Sequence, residues 1–273
     1  MAGTVALLNP HVESLAVATA LAAGELLLSG WGKRPATQIK TAAIDLVTEY
    51  DKRAEQLVIE RLTRDFPEHA IIGEEGGCVG DADAKCIWYV DPLDGTMNFA
   101  HGVPFFAVSL GLVVNGEPLV GVVHAPALGW TFSAMVGMGC KRNGLPIEVS
   151  RTASLPEGLF ATGFPYVAGV PNANLPEFAA FLHNTHGVRR LGSAALDLAF
   201  VAAGWFEGYW ERNISAWDLA GGAALVIAAG GRVSDIDGGT FDARTGRVLA
   251  TNGLIHEQAL NLLATAATAK HAL

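Results

Sequence analysis

Two carboxylates three residues apart, Asp91 and Asp94, stand in the run Asp91 Pro92 Leu93 Asp94 Gly95 Thr96, straight after the apolar stretch Ile87 Trp88 Tyr89 Val90. Hard divalent cations such as Mg²⁺ take oxygen donors of this kind. The spacing also leaves the Leu93 carbonyl free to point between the two side chains, and Thr96 adds a hydroxyl beside them. Asp, Pro and Gly make ordinary tight turns as well, so the run needs company before it reads as a metal site.

Company comes from three other places. Glu74 and Glu75, flanked by Gly73 and by Gly76 and Gly77, follow the apolar pair Ile71 Ile72. Adjacent like charges repel unless something positive lies between them, although a solvated acidic loop also accounts for the pair. Asp218, in Trp217 Asp218 Leu219 Ala220 Gly221 Gly222, falls in the first turn of a strongly apolar helix. The helix dipole favours an acid there by about 0.3–1 kcal/mol, so capping explains Asp218 on its own. Thr48 and Asp51 are spaced as the cap and third-position acid of a helix with Ala54, Leu57, Val58 and Leu62 on one face, an arrangement that stabilises a helix start in its own right.

These elements, in this order, resemble the inositol monophosphatase family of Mg²⁺-dependent, lithium-sensitive phosphatases, over roughly residues 39–253. The likeness rests on Gly73 Glu74 Glu75, on Trp88 to Phe99, and on Trp217 to Gly222 with Ala229 Gly230 Gly231. Bacterial members are the nearest in character, because Arg189 to Asp197 and Gly208 Tyr209 Trp210 Glu211 read like their substrate-side segments. The resemblance implies that Glu74, Asp91 and the Leu93 carbonyl hold one Mg²⁺ and that Asp91, Asp94 and Asp218 hold a second, with a third ion near Glu74 and Glu75 in some members. It implies that Asp51 and Thr96 orient the attacking water, with Glu74 in the catalytic set. The Gly95 and Thr96 amides then cradle the phosphate. It places Gly192, Ser193, Ala194, Glu211 and Arg190 on the substrate side together with Asp94 and Asp218, gives Lys40 a role near the metals, and implies a homodimer.

Independent chemistry agrees with that arrangement. Phosphoryl transfer asks for positioning and charge neutralisation more than for a covalent nucleophile, and paired cations supply both. Other phosphatase chemistries lack their residues: aspartyl-phosphate enzymes use Asp-x-Asp, whereas two residues separate Asp91 from Asp94. None of Cys78, Cys86 and Cys140 is followed five residues later by Arg, and no Gly-Lys-Ser/Thr phosphate loop occurs. His183 and His186 read as surface groups and not as zinc ligands, and His101, just after the metal loop, as a surface group or a support behind that loop.

The chain has 273 residues, 51% of them hydrophobic, enough for a large core. Its net charge of −9 disfavours direct nucleic-acid binding. An odd count of 3 widely spaced cysteines points to reduced thiols in a cytoplasm. The apolar segment Pro10 to Gly30 is interrupted by Glu13 and Glu25 and reads as a packed helix, not as a signal or membrane anchor. Strands are expected over Phe105–Val114, Leu119–His124 and Thr131–Val136, with Asn115 Gly116 as a hairpin turn and a further turn at Arg142 Asn143 Gly144. Helices are expected over Ala194–Ala203 and Leu219–Ala229, short strands over Gly208–Glu211, Arg232–Ile236 and Val248–Ala250, and a final helix from Leu260.

Alternating helix and sheet fit an α+β layered fold. The resemblance narrows this to the five-layered αβαβα sandwich of the inositol monophosphatase and fructose-1,6-bisphosphatase type. We expect a single catalytic unit over residues 1–273, with most metal ligands in a first half, about 1–150. Asp218 and the substrate-side residues then lie in a second half, about 151–273. The expected activity is hydrolysis of a small phosphorylated polyol, inositol monophosphate first. Asn213 to Ala216 and Ala228 depart from the usual family pattern, so fructose 1,6-bisphosphate, histidinol phosphate, NADP and adenosine bisphosphate stay open as substrates. So does a non-catalytic partnership with the transcription or ribosome-assembly machinery.

Overall fold

Strands buried on both faces lose the apolar-polar alternation and read as continuous apolar runs. Ala107–Val114, AVSLGLVV, is such a run, buried at every position. In the computed structural model, which describes residues 9–33, 37–39, 46–164 and 174–269, that strand lies inside a sheet covered by helices on both sides.

The elements in chain order are α1 (Pro10–Gly30), β1 (Thr37–Ile39), β2 (Leu46–Thr48), α2 (Glu49–Asp65), β3 (Ala70–Gly73), β4 (Gly77–Val79), β5 (Cys86–Asp94), α3 (Thr96–His101), β6 (Ala107–Val114), β7 (Glu117–Ala125), β8 (Trp130–Met135), β9 (Gly139–Arg142), β10 (Leu145–Ile147) and β11 (Leu159–Thr162). There follow α4 (Leu175–Asn184), β12 (Gly187–Arg189), α5 (Ala194–Ala202), β13 (Gly208–Arg212), α6 (Ala216–Ala228), β14 (Arg232–Ser234), β15 (Arg247–Thr251) and α7 (His256–Ala269). One sheet has 8 strands in the order β10-β9-β8-β7-β6-β5-β3-β4, and another has 5 in the order β12-β11-β13-β15-β14.

Five layers result, as expected: α1 and α2, the larger sheet, α5 and α6, the smaller sheet, then α4 and α7. The core divides accordingly. Ala16, Ala20, Ala23 and Leu27 of α1 pack with Val58 and Leu62 of α2 on one face of the larger sheet. Leu196, Val201, Leu219 and Val226 fill the space between the sheets, and Phe160, Phe181, Trp210 and Leu263 close the outer face of the smaller one. Among the described residues α1 is the helix long and apolar enough to cross a bilayer, yet its Ala16–Ala20–Ala23–Leu27 stripe is wholly buried against the sheet.

Glycines let α6 sit unusually close to the larger sheet. A Cβ on Gly111 of β6 would stand 2.4 Å from the Gly221 nitrogen, and one on Gly121 of β7 would stand 2.1 Å from the Gly221 oxygen. Backbone thus meets backbone, and the N-terminus of α6, which carries Asp218, is drawn onto the strands beside β5.

The expected hairpins are present: Asn115 and Gly116, like Asn143 and Gly144, take the positive φ values of tight turns. The strand β11, the helix α4 and the strand β12 lie outside the sequence expectations. Each is short, and α4 begins with Leu-Pro, which marks a start only once the helix is known. The final helix starts at His256, four residues earlier than expected, with Ile255, Ala259 and Leu263 buried. Lys40 and Asp45 lie outside the described residues.

A methyl group between α6 and the sheet has nowhere to go. Gly121→Ala is therefore expected to destabilise the fold by about 1–3 kcal/mol, the usual range for overpacking a rigid contact, read from the urea midpoint at unchanged slope; a midpoint equal to that of the unmutated chain would contradict the close approach.

Candidate active site

The acidic loop is built by a defect in a strand. β5 pairs with β6 at Asp91↔Ser109 and again at Asp94↔Ala107, so three steps along β5 match two along β6. Such a bulge re-aims side chains that a regular pleat would send to opposite faces. The Leu93 amide donates to Asp91 Oδ1 at 2.9 Å and pins the turn. Gly95 then takes φ 92° to start α3; a Cβ there would lie 2.9 Å from the Phe105 oxygen, so the position belongs to glycine.

Asp91, Asp94 and Asp218 each offer a carboxylate oxygen, and these oxygens all lie within 4.8 Å of one another. Asp91 and Asp94 are buried at 2% and 7% exposure, and Asp218 is half-buried. Two of these carboxylates also accept hydrogen bonds from the protein. Asp94 Oδ2 accepts from Ser193 Oγ at 2.7 Å and from the Ala195 amide at 2.7 Å, at the N-terminus of α5. Asp218 Oδ2 accepts from the Ser215 amide at 2.9 Å, closing the N-terminus of α6.

Burial, and then the neighbouring acids, raise these carboxyls. Asp91 is pushed well above its ordinary range by burial and by Glu74, Asp94 and Asp218, and Asp218 likewise by burial and by Asp94 and Glu74. Asp94 rises to about 6 through burial, against the hydrogen bonds from Ser193 and Ala195. Carboxylates forced together in this way have one ready partner, a hard cation that takes oxygen donors and cancels their repulsion. The donor set therefore fits a divalent ion, with the Leu93 carbonyl on the same cavity wall.

Glu74 faces the same cavity but its carboxylate stands outside the close trio. Its turn rests on a residue not singled out from the sequence. Glu55, at 3% exposure, accepts from the Glu75 amide at 2.9 Å. Gly73 makes room for it, since a Cβ there would lie 2.4 Å from Glu55 Oε2. Burial raises the Glu55 carboxyl. The signal was available: Asp51, Glu55, Val58 and Leu62 share one helix face, and an acid on an apolar stripe asks for a partner.

Asp51, at 0% exposure, is locked at both oxygens. Oδ2 accepts from the Thr48 amide at 2.8 Å and from Thr48 Oγ1 at 2.6 Å, and Oδ1 accepts from Thr96 Oγ1 at 2.9 Å. Burial raises its pKa, opposed by those three bonds. The Thr96 hydroxyl also lies 3.0 Å from the Leu93 oxygen. Both neighbours are acceptors, so the single Thr96 proton is committed and its lone pairs are left for a donor in the cavity.

The cavity measures about 370 Å³. Its wall also carries Gly192, Ser193, Ala194, Glu211, Asp197 and the exposed Arg190. Glu211 receives the Tyr209 hydroxyl, and burial lifts its carboxyl to about 7. Asn98 fastens this wall to the acidic loop: its side-chain amide donates to the Phe105 oxygen at 2.6 Å and to the Leu191 oxygen at 2.8 Å. Trp217 is half-buried and lines the cavity. His101, His183 and His186 are exposed.

Comparison with known proteins identifies the family. The profile of the inositol monophosphatase family matches residues 9–271. An inositol-1-monophosphatase of Synechocystis is 48% identical over 252 residues, 92% of this chain and 88% of the relative. A Nus factor SuhB of Pseudomonas aeruginosa is 41% identical, over 88% of this chain and 90% of its own length. Among solved structures, the inositol monophosphatase of Anabaena superposes with a TM-score of 0.84 at 43% identity, covering 94% of this chain and 96% of that one.

A carboxyl whose folded-state pKa lies above its unfolded value holds the extra proton in the folded state, so its contribution to stability is present at low pH and is lost as pH rises through the folded value. For Asp94 that window runs from the ordinary 3.8 to about 6, and Asp91 and Asp218 act in the same direction. Thermal melts of the metal-free chain should therefore show this contribution fading as pH climbs through that range. Added divalent cation should raise Tm more at about pH 7.5 than at about pH 5; an equal gain at both would mean that the trio does not hold the ion.

Proposed function

Because the chain belongs to the inositol monophosphatase family, a family of phosphatases, we propose that it is a Mg²⁺-dependent phosphomonoesterase acting on a small phosphorylated polyol, inositol monophosphate first, by attack of water without a phosphoenzyme. The observation that carries this reading is the convergence of Asp91, Asp94 and Asp218 within 4.8 Å on the wall of one cavity. Glu74, Asp91 and the Leu93 carbonyl would hold one ion, and Asp91, Asp94 and Asp218 another. A third near Glu74 and Glu75 is part of the same proposal. When bound, such ions lower the pKa of a water and neutralise charge on the leaving oxygen.

The protein's own groups do the positioning. Thr96 gives its proton to acceptors it already touches and receives a hydrogen from the water, which aims a lone pair of that water at phosphorus. Asp51, clamped by Thr48, holds Thr96 in that orientation. The Gly95 and Thr96 amides serve the phosphate. Glu211, Gly192, Ser193, Ala194 and Arg190 serve the polyol, with Asp94 and Asp218 between the two groups. The proposal extends to a cytoplasmic homodimer sensitive to lithium, one catalytic unit whose halves are about 1–150 and about 151–273. The free state of Cys78, Cys86 and Cys140 supports the compartment.

A second reading is favoured by the relatives named Nus factor SuhB: a role beside the transcription machinery that survives loss of hydrolysis. Pull-down with RNA polymerase using Asp91→Asn distinguishes it, since a scaffold role persists in that variant and a purely catalytic protein shows no capture with either chain. The substrate is settled by phosphate release from inositol monophosphate, fructose 1,6-bisphosphate, histidinol phosphate, NADP and adenosine bisphosphate, each with Mg²⁺ and with added lithium. Inositol monophosphate is expected to give the highest kcat/KM.

Asp51→Asn and Thr96→Ala are each expected to lower kcat by about 100-fold or more, the scale of general acid-base and positioning effects, while calorimetric cation binding stays close to that of the unmutated chain. Unchanged kcat in both variants would remove the water-orienting role.

A further inference from the structure

One acid on the cavity wall has no work in the scheme above. Asp197 sits one turn into α5, a helix buried along its length and otherwise made of Ala, Leu, Phe and Val. It is 2% exposed. Its Oδ1 is buried without a hydrogen-bond partner, and among the described residues no donor reaches its other oxygen either. A buried carboxyl left so is rare and asks for an occupant that supplies the missing hydrogen bond. The side chain lies on the wall of the 370 Å³ cavity, so the occupant has a place to stand.

The surrounding charges say what kind of group that is. Glu211 and Asp94 bear on Asp197 from the acidic side and Arg190 from the basic side, and Arg190 bears on Glu211 as well. A metal ion there would face the guanidinium, and an anion would face two carboxyls. A neutral hydroxyl, donating its proton to an acceptor and placing no net charge between them, meets neither objection. Glu211 is prepared in the same sense: the Tyr209 hydroxyl occupies Oε2, and the bare backbone of Gly163 lets the carboxyl lie flat against it, since a Cβ there would stand 2.0 Å from Oε2.

We propose that Asp197 is a specificity-determining residue that accepts a hydrogen bond from a substrate hydroxyl and forms, with Glu211, a two-acceptor subsite for the polyol end of the phosphate ester. The inference deepens the phosphatase reading and rests on it for the identity of the substrate.

The test compares the Mg²⁺-loaded full chain with Asp197→Ala and Asp197→Asn on two esters, inositol 1-phosphate and p-nitrophenyl phosphate, which has no hydroxyl to offer. The ratio of kcat/KM for the first over the second should fall by about ten- to a hundred-fold in Asp197→Ala, the scale of leaving a buried hydrogen-bonding group without its partner. It should fall less in Asp197→Asn, which keeps one acceptor oxygen and also serves if the alanine variant does not fold. A ratio that stays within about twofold would overturn the proposal and leave Asp197 to an ordered water, and so would an equal loss on both esters.

Saturation-transfer NMR with myo-inositol, phosphate and Mg²⁺ reads the same subsite without turnover. The inositol signal seen with the unmutated chain should vanish in Asp197→Ala. If the unmutated chain hydrolyses neither ester, the phosphatase reading fails, and this signal alone decides the subsite: its dependence on Asp197 upholds it, and its independence or absence ends it. If hydrolysis of inositol 1-phosphate is found and neither the ratio nor the signal responds to Asp197, the subsite fails by itself.

Discussion

Everything in this molecule is arranged around a repulsion. Asp91 and Asp94 come from one bulged strand and Asp218 from a helix far downstream, yet their oxygens are gathered within 4.8 Å in a largely buried place, with Glu74 adding its charge nearby. No set of carboxylates assembles spontaneously in this way. The fold must hold them against their own field, and it does so with rigid parts: a bulged strand, two helix N-termini, and a backbone contact between α6 and the sheet that leaves no slack.

The side chains that gather in the cavity are also the ones that hold local structure together. Asp94 gives Oδ2 to the start of α5, Asp218 gives Oδ2 to the start of α6, and Asp91 gives Oδ1 to the Leu93 amide. Asp51 divides its oxygens between the cap residue Thr48 and the cavity residue Thr96. In the sequence, capping and ligation looked like rival explanations for these acids. In three dimensions they are compatible, because the hydrogen bond that anchors each carboxylate also fixes where that side chain stands on the cavity wall.

This is also why the acids were legible in the chain and their supports were not. Asp-x-x-Asp after an apolar run, a glutamate pair among glycines and an acid at a helix start are local patterns, readable by eye. The hairpins and the wholly buried strands of the larger sheet are equally local. Glu55, Asn98 and Asp197 act through partners far away in sequence: Glu55 reaches residue 75, Asn98 reaches residues 105 and 191, and Asp197 faces Glu211. Their neighbours in sequence say little about those meetings. The same holds for β11, α4 and β12, short elements that depend on the smaller sheet and its outer helices.

The reach of Asn98 bears on how such a protein diversifies. One amide group ties the backbone at Phe105, beside the acidic turn, to the backbone at Leu191, just before the cavity residues Gly192 to Ala194. Mortared together, the two stretches share a single scaffold, so displacing the peptide chain on the polyol side would drag the ion-holding side along. New preferences are then open chiefly to exchanges of side chains that project from a fixed frame, such as those at positions 190, 197 and 211. Lineages built on this plan would be expected to alter their diet by trading fingertips while the skeleton of the hand stays put.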